Sequence, residues 1–142
     1  MEAWRDHKVL IVDDSQFVRE ELADLYTELG MKVIGTAADG LAAIEQAEKL
    51  DPDLISLDII MPEMDGVECY GHLVSLFPLV KILMVTALSA EPRVVNHFAE
   101  TIDPRLYLGK PPSKEELMDK LGMLFNDGVV AEEPQENESA LD

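Results

Sequence analysis

Asp13 and Asp14 close the apolar run Lys8-Val9-Leu10-Ile11-Val12, and Asp58 closes the run Leu54-Ile55-Ser56-Leu57. If both runs are strands of one open parallel sheet, their carboxyl ends share the edge at which such sheets bind ligands. Carboxylates gathered there repel one another unless a hard cation offsets their charge, so the three acids form a candidate Mg²⁺ site. Two further residues follow runs of the same kind: Thr86 after Lys81-Ile82-Leu83-Met84-Val85, and Lys110 after Arg105-Leu106-Tyr107-Leu108-Gly109. One edge would then carry three carboxylates, a hydroxyl and an ammonium, which suits phosphoryl transfer. A carboxylate can attack phosphorus and become an aspartyl phosphate while Mg²⁺ and lysine offset the charge on the oxygens. A hydroxyl can hydrogen-bond one of those oxygens. Taken singly, each residue has an ordinary explanation. Asp14 serves equally well as the cap of a helix beginning near Ser15, Thr86 as a strand-end threonine and Lys110 as a solvated lysine. Their joint placement argues for a site.

That placement depends on the alternation of elements. Apolar runs at 8–13, 31–37, 53–58, 80–85 and 105–109 read as strands, and amphipathic stretches at 16–29, 39–50, 66–77, 91–100 and 113–125 read as helices. In the first helix Val18, Leu22, Leu25 and Leu29 share one face, and Gly30 stands where a C′ glycine would end it. Ser113-Lys114-Glu115-Glu116 has the form of a capping box, and Asp51-Pro52 marks a turn into the third strand. Five strands alternating with helices imply right-handed crossovers and a parallel sheet covered on both faces. The nearly unbroken apolar runs at 9–12 and 82–85 fit strands buried on both sides. The doubly wound order 2-1-3-4-5 is preferred, because it sets the ends of strands 1 and 3 together at the switch point.

Bulk properties narrow the function. The 142 residues, 47% hydrophobic and 28% charged, suit one soluble domain. No apolar run reaches the length of a membrane span, and the N-terminus has no signal-peptide pattern. The single cysteine, Cys69, excludes a disulfide framework and fits a reducing cytoplasm; a packing role is preferred over a nucleophilic one. The net charge of −18 argues against nucleic-acid and anionic-membrane partners. The stretch 126–142 carries six of the acids and no Lys or Arg, and is expected to be a disordered, solubilising tail after a domain at 1–125. Trp4 is expected to pack or to lie in a disordered segment. His7, His72 and His97 lack metal-ligand spacing, His97 and Arg93 read as solvated surface, and the scattered Met residues read as packing.

The chain resembles the receiver domains of two-component response regulators. The resemblance is carried by Val9-Leu10-Ile11-Val12-Asp13-Asp14-Ser15, by the motif from Asp51-Pro52-Asp53 through Asp58-Ile59-Ile60-Met61-Pro62-Glu63-Met64-Asp65-Gly66, by Met84-Val85-Thr86-Ala87 and by Lys110-Pro111. It spans roughly residues 7 to 125 and is similar to single-domain, chemotaxis-type receivers of flavodoxin-like fold. It implies that Asp58 is the phosphoacceptor, loaded from the phosphohistidine of a sensor histidine kinase or a phosphotransfer protein. Asp14 matches a direct Mg²⁺ ligand and Asp13 the acid acting through metal-bound water, with Asp58 and the Ile60 carbonyl completing the protein ligands. Lys110 would pair with phosphoryl oxygen, Thr86 would shift to bind it, and Tyr107 matches the switch aromatic that turns inward on activation. A cis Lys110-Pro111 peptide is also implied. Output would be phosphorylation-dependent protein binding through the fourth helix, fifth strand and fifth helix, in chemotaxis or another phosphorelay. No turnover of an external substrate is implied.

Position-specific readings accompany the resemblance. Small Ala87 leaves the acceptor open to a protein donor, whereas Ile60 gives an attacking water no hydrogen bond and Leu88 is expected to shield the acceptor further. Slow self-dephosphorylation is expected. The chain departs from the family around strand 5: Glu100-Thr101-Ile102-Asp103-Pro104-Arg105 replaces a glycine-containing turn, Lys110 follows Thr86 at a long interval, and Pro112 follows Lys-Pro. An aspartate-nucleophile phosphatase is disfavoured because Ile59-Ile60, not a second acid, follows Asp58. A flavodoxin is disfavoured because no Ser/Thr/Gly-rich loop follows strand 1. A phosphorylation-independent scaffold receiver remains the alternative, and oligomeric state is left open.

Overall fold

The computed structural model describes residues 2–61, 63–87 and 102–126. The expected helix at 91–100, with Arg93 and His97, and also Leu88 and the tail beyond 126, lie outside these residues. Five strands form one parallel sheet: β1 (Lys8–Val12), β2 (Lys32–Ala37), β3 (Leu54–Leu57), β4 (Lys81–Thr86) and β5 (Tyr107–Gly109), in the order β2-β1-β3-β4-β5. This is the expected doubly wound order. Helices α1 (Gln16–Glu28), α2 (Gly40–Leu50) and α3 (Gly66–Leu76) join the first four strands, and a last helix, Lys114–Asn126, follows β5.

The reversal of direction after β2 decides which face each helix covers. The step from β1 to β2 runs one way along the sheet, and the steps from β2 to β3 and β3 to β4 run the other. Right-handed crossovers therefore place α1 on one face and α2 with α3 on the opposite one. An ion pair of 3.0 Å between Lys114 Nζ and Glu28 Oε2 ties the last helix to α1. With both faces covered, β1, β3 and β4 are almost wholly buried, which explains their unbroken apolar sequence.

Local signals in the chain set the ends of the elements. The Leu29–Gly30 end of α1 is a Schellman turn, with Gly30 at φ +95°, Gly30 N bonded to Thr27 O and Met31 N to Tyr26 O. The Ser113–Glu116 capping box forms: Ser113 N donates to Glu116 Oε1 at 2.9 Å and Glu116 N to Ser113 Oγ at 3.1 Å. Elsewhere the sequence-based boundaries shift. The buried stripe of α1 runs through Leu22, Tyr26 and Leu29, while Val18 and Leu25 are half-buried. The fifth strand is three residues long, because Pro104–Leu106 winds into a 3₁₀ turn. Pro104 has no N–H for a ladder, and Asp103 accepts from Arg105 N at 2.9 Å to start the turn. Trp4 packs into the core, and its Nε1 donates to Leu29 O at 2.9 Å.

Candidate functional site

The register of the sheet brings the acids together. Val12 pairs with Leu57 across β1 and β3, so the next residue on each strand, Asp13 and Asp58, emerges at the same edge. Asp58 N donates to Val12 O at 3.1 Å, the last bond of that seam. Asp14 follows at the start of the loop, and one carboxylate oxygen from each of Asp13, Asp14 and Asp58 lies within 4.8 Å of the others. Asp13 (1% exposed) and Asp58 (4%) are buried, whereas Asp14 is exposed. Asp14 does not cap α1: Ser15 is the N-cap and accepts from Val18 N. Ser15 N in turn donates to Asp13 Oδ1 at 2.9 Å.

Strand pairing delivers the hydroxyl and the ammonium to the same edge. Thr86, buried, is the last residue of β4 and pairs with Gly109 of β5. Lys110 is the next residue, and its backbone N donates to Thr86 O at 3.2 Å. Its Nζ reaches Asp13 Oδ2 at 2.7 Å and Asp58 Oδ2 at 3.3 Å. The Lys110–Pro111 peptide is cis.

The electrostatics follow from burial. Desolvation raises the pKa of Asp58 above the ordinary carboxylate range; the charge of Asp13 adds to it, while Lys110 and a hydrogen bond from Thr86 oppose it. For Lys110 burial works against the charged form, but its hydrogen bonds to Asp13 and Asp58 and the charges of both acids outweigh it and raise the pKa. One ammonium thus serves two buried carboxylates, and the pocket keeps surplus negative charge for a cation. All three donors are hard carboxylate oxygens and one faces solvent, so the set fits a divalent ion such as Mg²⁺.

The loop from Asp58 to α3 depends on a residue whose role the motif did not disclose. Gly66 N donates to Ile59 O at 2.6 Å, and a Cβ on Gly66 would stand 2.2 Å from Asp58 O and 2.5 Å from Ile59 Cα. Only glycine lets α3 start against the backbone of Asp58. The one legible signal was a glycine directly after the helix cap Asp65. Ile60 lies in this loop and is 57% exposed. Ala87, just past Thr86, is exposed. Tyr107, in β5, is buried (6% exposed), and its hydroxyl has no hydrogen-bond partner among the described residues. Burial raises its pKa. Cys69 stands apart from the site, buried in α3 with its thiol pushed up to about 12, which fits packing and not nucleophilic chemistry.

A model of the response regulator receiver domain matches residues 9–122. The chain belongs to this family. The chemotaxis protein CheY of Thermotoga maritima is 38% identical over 89 residues, which cover 63% of this chain and 74% of that protein. A chain of the CheX–CheY–BeF3–Mg²⁺ complex from Borrelia burgdorferi superimposes with a TM-score of 0.75 at 29% identity, covering 85% of this chain and 90% of its own. The response regulator domain of Thermotoga maritima CheB gives 0.72 at 32% identity, covering 86% and 98%. The domain is thus a receiver of the CheY type, with the flavodoxin-like order that its sheet shows. Among the described residues no helix is long and apolar enough to cross a membrane.

Proposed function

We propose that this receiver accepts a phosphoryl group onto Asp58 from the phosphohistidine of a sensor histidine kinase or phosphotransfer protein, and signals by protein binding that depends on it. The observation that supports this reading most is the sharing of Lys110 between Asp58 and Asp13 at the edge where Ala87 is exposed. A carboxylate oxygen of Asp58 forms the new bond to phosphorus as the nitrogen–phosphorus bond of the donor breaks. The electron pair stays on the imidazole, which takes a proton from solvent. Lys110, already within 3.3 Å of Asp58, offsets charge on the transferring oxygens, and the Thr86 hydroxyl turns from Asp58 to one of them. Asp13, Asp14 and Asp58, with the Ile60 carbonyl, would hold Mg²⁺, which supplies further charge stabilisation when bound.

A phosphoryl group at Asp58 adds charge beneath Thr86, and a shift of Thr86 would bias Tyr107 between arrangements of the β5 surface. The 91–100 stretch, β5 and the last helix would form the face read by a downstream protein. The Borrelia relative was captured with CheX, and a CheX-like protein is one candidate of that kind. The receiver would occupy residues 1–125, with 126–142 an acidic extension. The protein would act in the cytoplasm, in chemotaxis or a related phosphorelay, and turn over no external substrate.

Incubation with acetyl phosphate tests the reading, with the mass of the intact chain followed in Mg²⁺ and in chelator. One added phosphoryl group in Mg²⁺, mapped to Asp58, is expected. Labelling that is equal in chelator, or located elsewhere, would overturn the assignment. The lifetime of the label probes Ile60, whose side chain cannot orient a water. Ile60→Asn is expected to shorten the decay several-fold, and an unchanged or longer lifetime would show that Ile60 does not set the lifetime.

A further inference from the structure

We propose that Arg19 is a positioning residue for the acid cluster: its guanidinium locks the Asp13–Asp14 peptide in the orientation that presents Asp14 to a divalent cation. The inference rests on the metal-binding reading of Asp13, Asp14 and Asp58. The β1 ladder ends at Val12, whose carbonyl is taken by Asp58 N. The next carbonyl, that of Asp13, lies beyond the sheet. Arg19, half-buried on α1, reaches back six residues and donates Nη1 to that oxygen at 2.7 Å. A charge-assisted bond of this length is among the stronger ones a side chain makes to backbone.

The other three attachments of Asp13 do not touch its carbonyl oxygen. Its N–H donates to Ala37 O at 3.0 Å, Oδ1 accepts from Ser15 N at 2.9 Å, and Oδ2 accepts from Lys110 Nζ at 2.7 Å. The Ser15 bond closes an Asx turn across the Asp13–Asp14 peptide, and Arg19 adds the bond made directly to the carbonyl oxygen of that peptide. A peptide unit is planar, so fixing the carbonyl oxygen also fixes the direction of Asp14 N and Cα. Asp14 has the most need of such support. It is exposed, and the capping of α1 falls to Ser15.

Two effects of Arg19 on cation binding have opposite signs, which makes the proposal testable. Its positive charge, set on the carbonyl of Asp13, disfavours a second cation, whereas its hydrogen bond presets a ligand. Outer partners that orient metal ligands typically contribute 10–100-fold to affinity. Calorimetric titration of the full chain with Mg²⁺ separates the two, comparing wild type, Arg19→Met and Arg19→Lys, with melting in chelator as the control for folding. Arg19→Met is expected to bind Mg²⁺ about tenfold more weakly, and Arg19→Lys to recover most of the loss, both melting close to wild type. Binding by Arg19→Met that is as tight as wild type or tighter would overturn the proposal, since Arg19 would then act by charge alone. Should the Met variant melt well below wild type, Arg19→Gln takes its place under the same criterion. Absence of Mg²⁺ binding in wild type would remove the metal reading itself, and this inference with it.

Discussion

Asp58→Asn is expected to abolish labelling by acetyl phosphate and, in chelator, to melt a few degrees above wild type at neutral pH. The loss is complete because the amide offers no nucleophilic oxygen of comparable charge, and the neighbouring acid Asp13 has its oxygens engaged by Ser15 N and Lys110 Nζ. The gain in stability is less intuitive. Asp58 is buried beside Asp13, and its pKa is raised by desolvation first and by Asp13 further. An acid whose pKa is higher folded than unfolded adds stability below the unfolded value, and that stability is lost as pH rises through the folded one. Wherever the pH exceeds that raised pKa, ionised Asp58 is therefore a cost to the fold. Its removal does not strand Lys110, which keeps the shorter contact to Asp13 at 2.7 Å. Melting curves across acid to neutral pH check the sign: wild-type stability should decline with pH through the raised pKa, and the variant should lack that component. A variant that is less stable than wild type throughout would show that Lys110 outweighs desolvation and Asp13 together at Asp58.

The second large effect comes from two glycines of one helix. Gly66→Ala is expected to destabilise the domain by about 3 kcal/mol, at the upper end for overpacking, because the new methyl meets backbone that cannot step aside. The atoms it meets belong to Asp58 and Ile59, so the damage falls on the acceptor loop. Gly71, in the same helix, has nothing within 4 Å of an added Cβ. Gly71→Ala should stabilise by about 0.5–1 kcal/mol through lost backbone freedom in the unfolded chain. Urea unfolding of both variants decides the matter, and similar effects at the two positions would mean that the close approach at Gly66 relaxes freely.

The features legible in the sequence had local causes. The Ser113–Glu116 box and the Gly30 turn depend on residues within a few positions, and both form as expected. The apolar runs announced strands buried on both faces, and their alternation with helices announced the crossovers. Boundaries shifted where local chemistry competed with the pattern. The run 105–109 looks like a strand by composition, yet Pro104 and the Asp103 carboxylate convert its first part into a 3₁₀ turn. Trp4 could not be placed from its neighbours, because its partner Leu29 lies 25 residues away.

The sequence by itself determined the chemical inventory: acids, hydroxyl and lysine at the carboxyl ends of their strands, with motifs specific enough to imply the family. It could not say which residue caps α1, since Asp14 and Ser15 are both competent; backbone geometry chose Ser15 and freed Asp14. It could not show that Lys110 bridges Asp13, 97 residues earlier, and Asp58, 52 residues earlier, because strand order alone sets that distance. Nor could it reveal Arg19 on the Asp13 carbonyl or Gly66 against Asp58, whose meaning lies in ångström-scale approach of backbone. Residue types are chosen one position at a time, so a sequence shows what chemistry is possible. Charge balance, ligand direction and steric closeness are sums over elements far apart in the chain, and only the folded sheet brings them to one place.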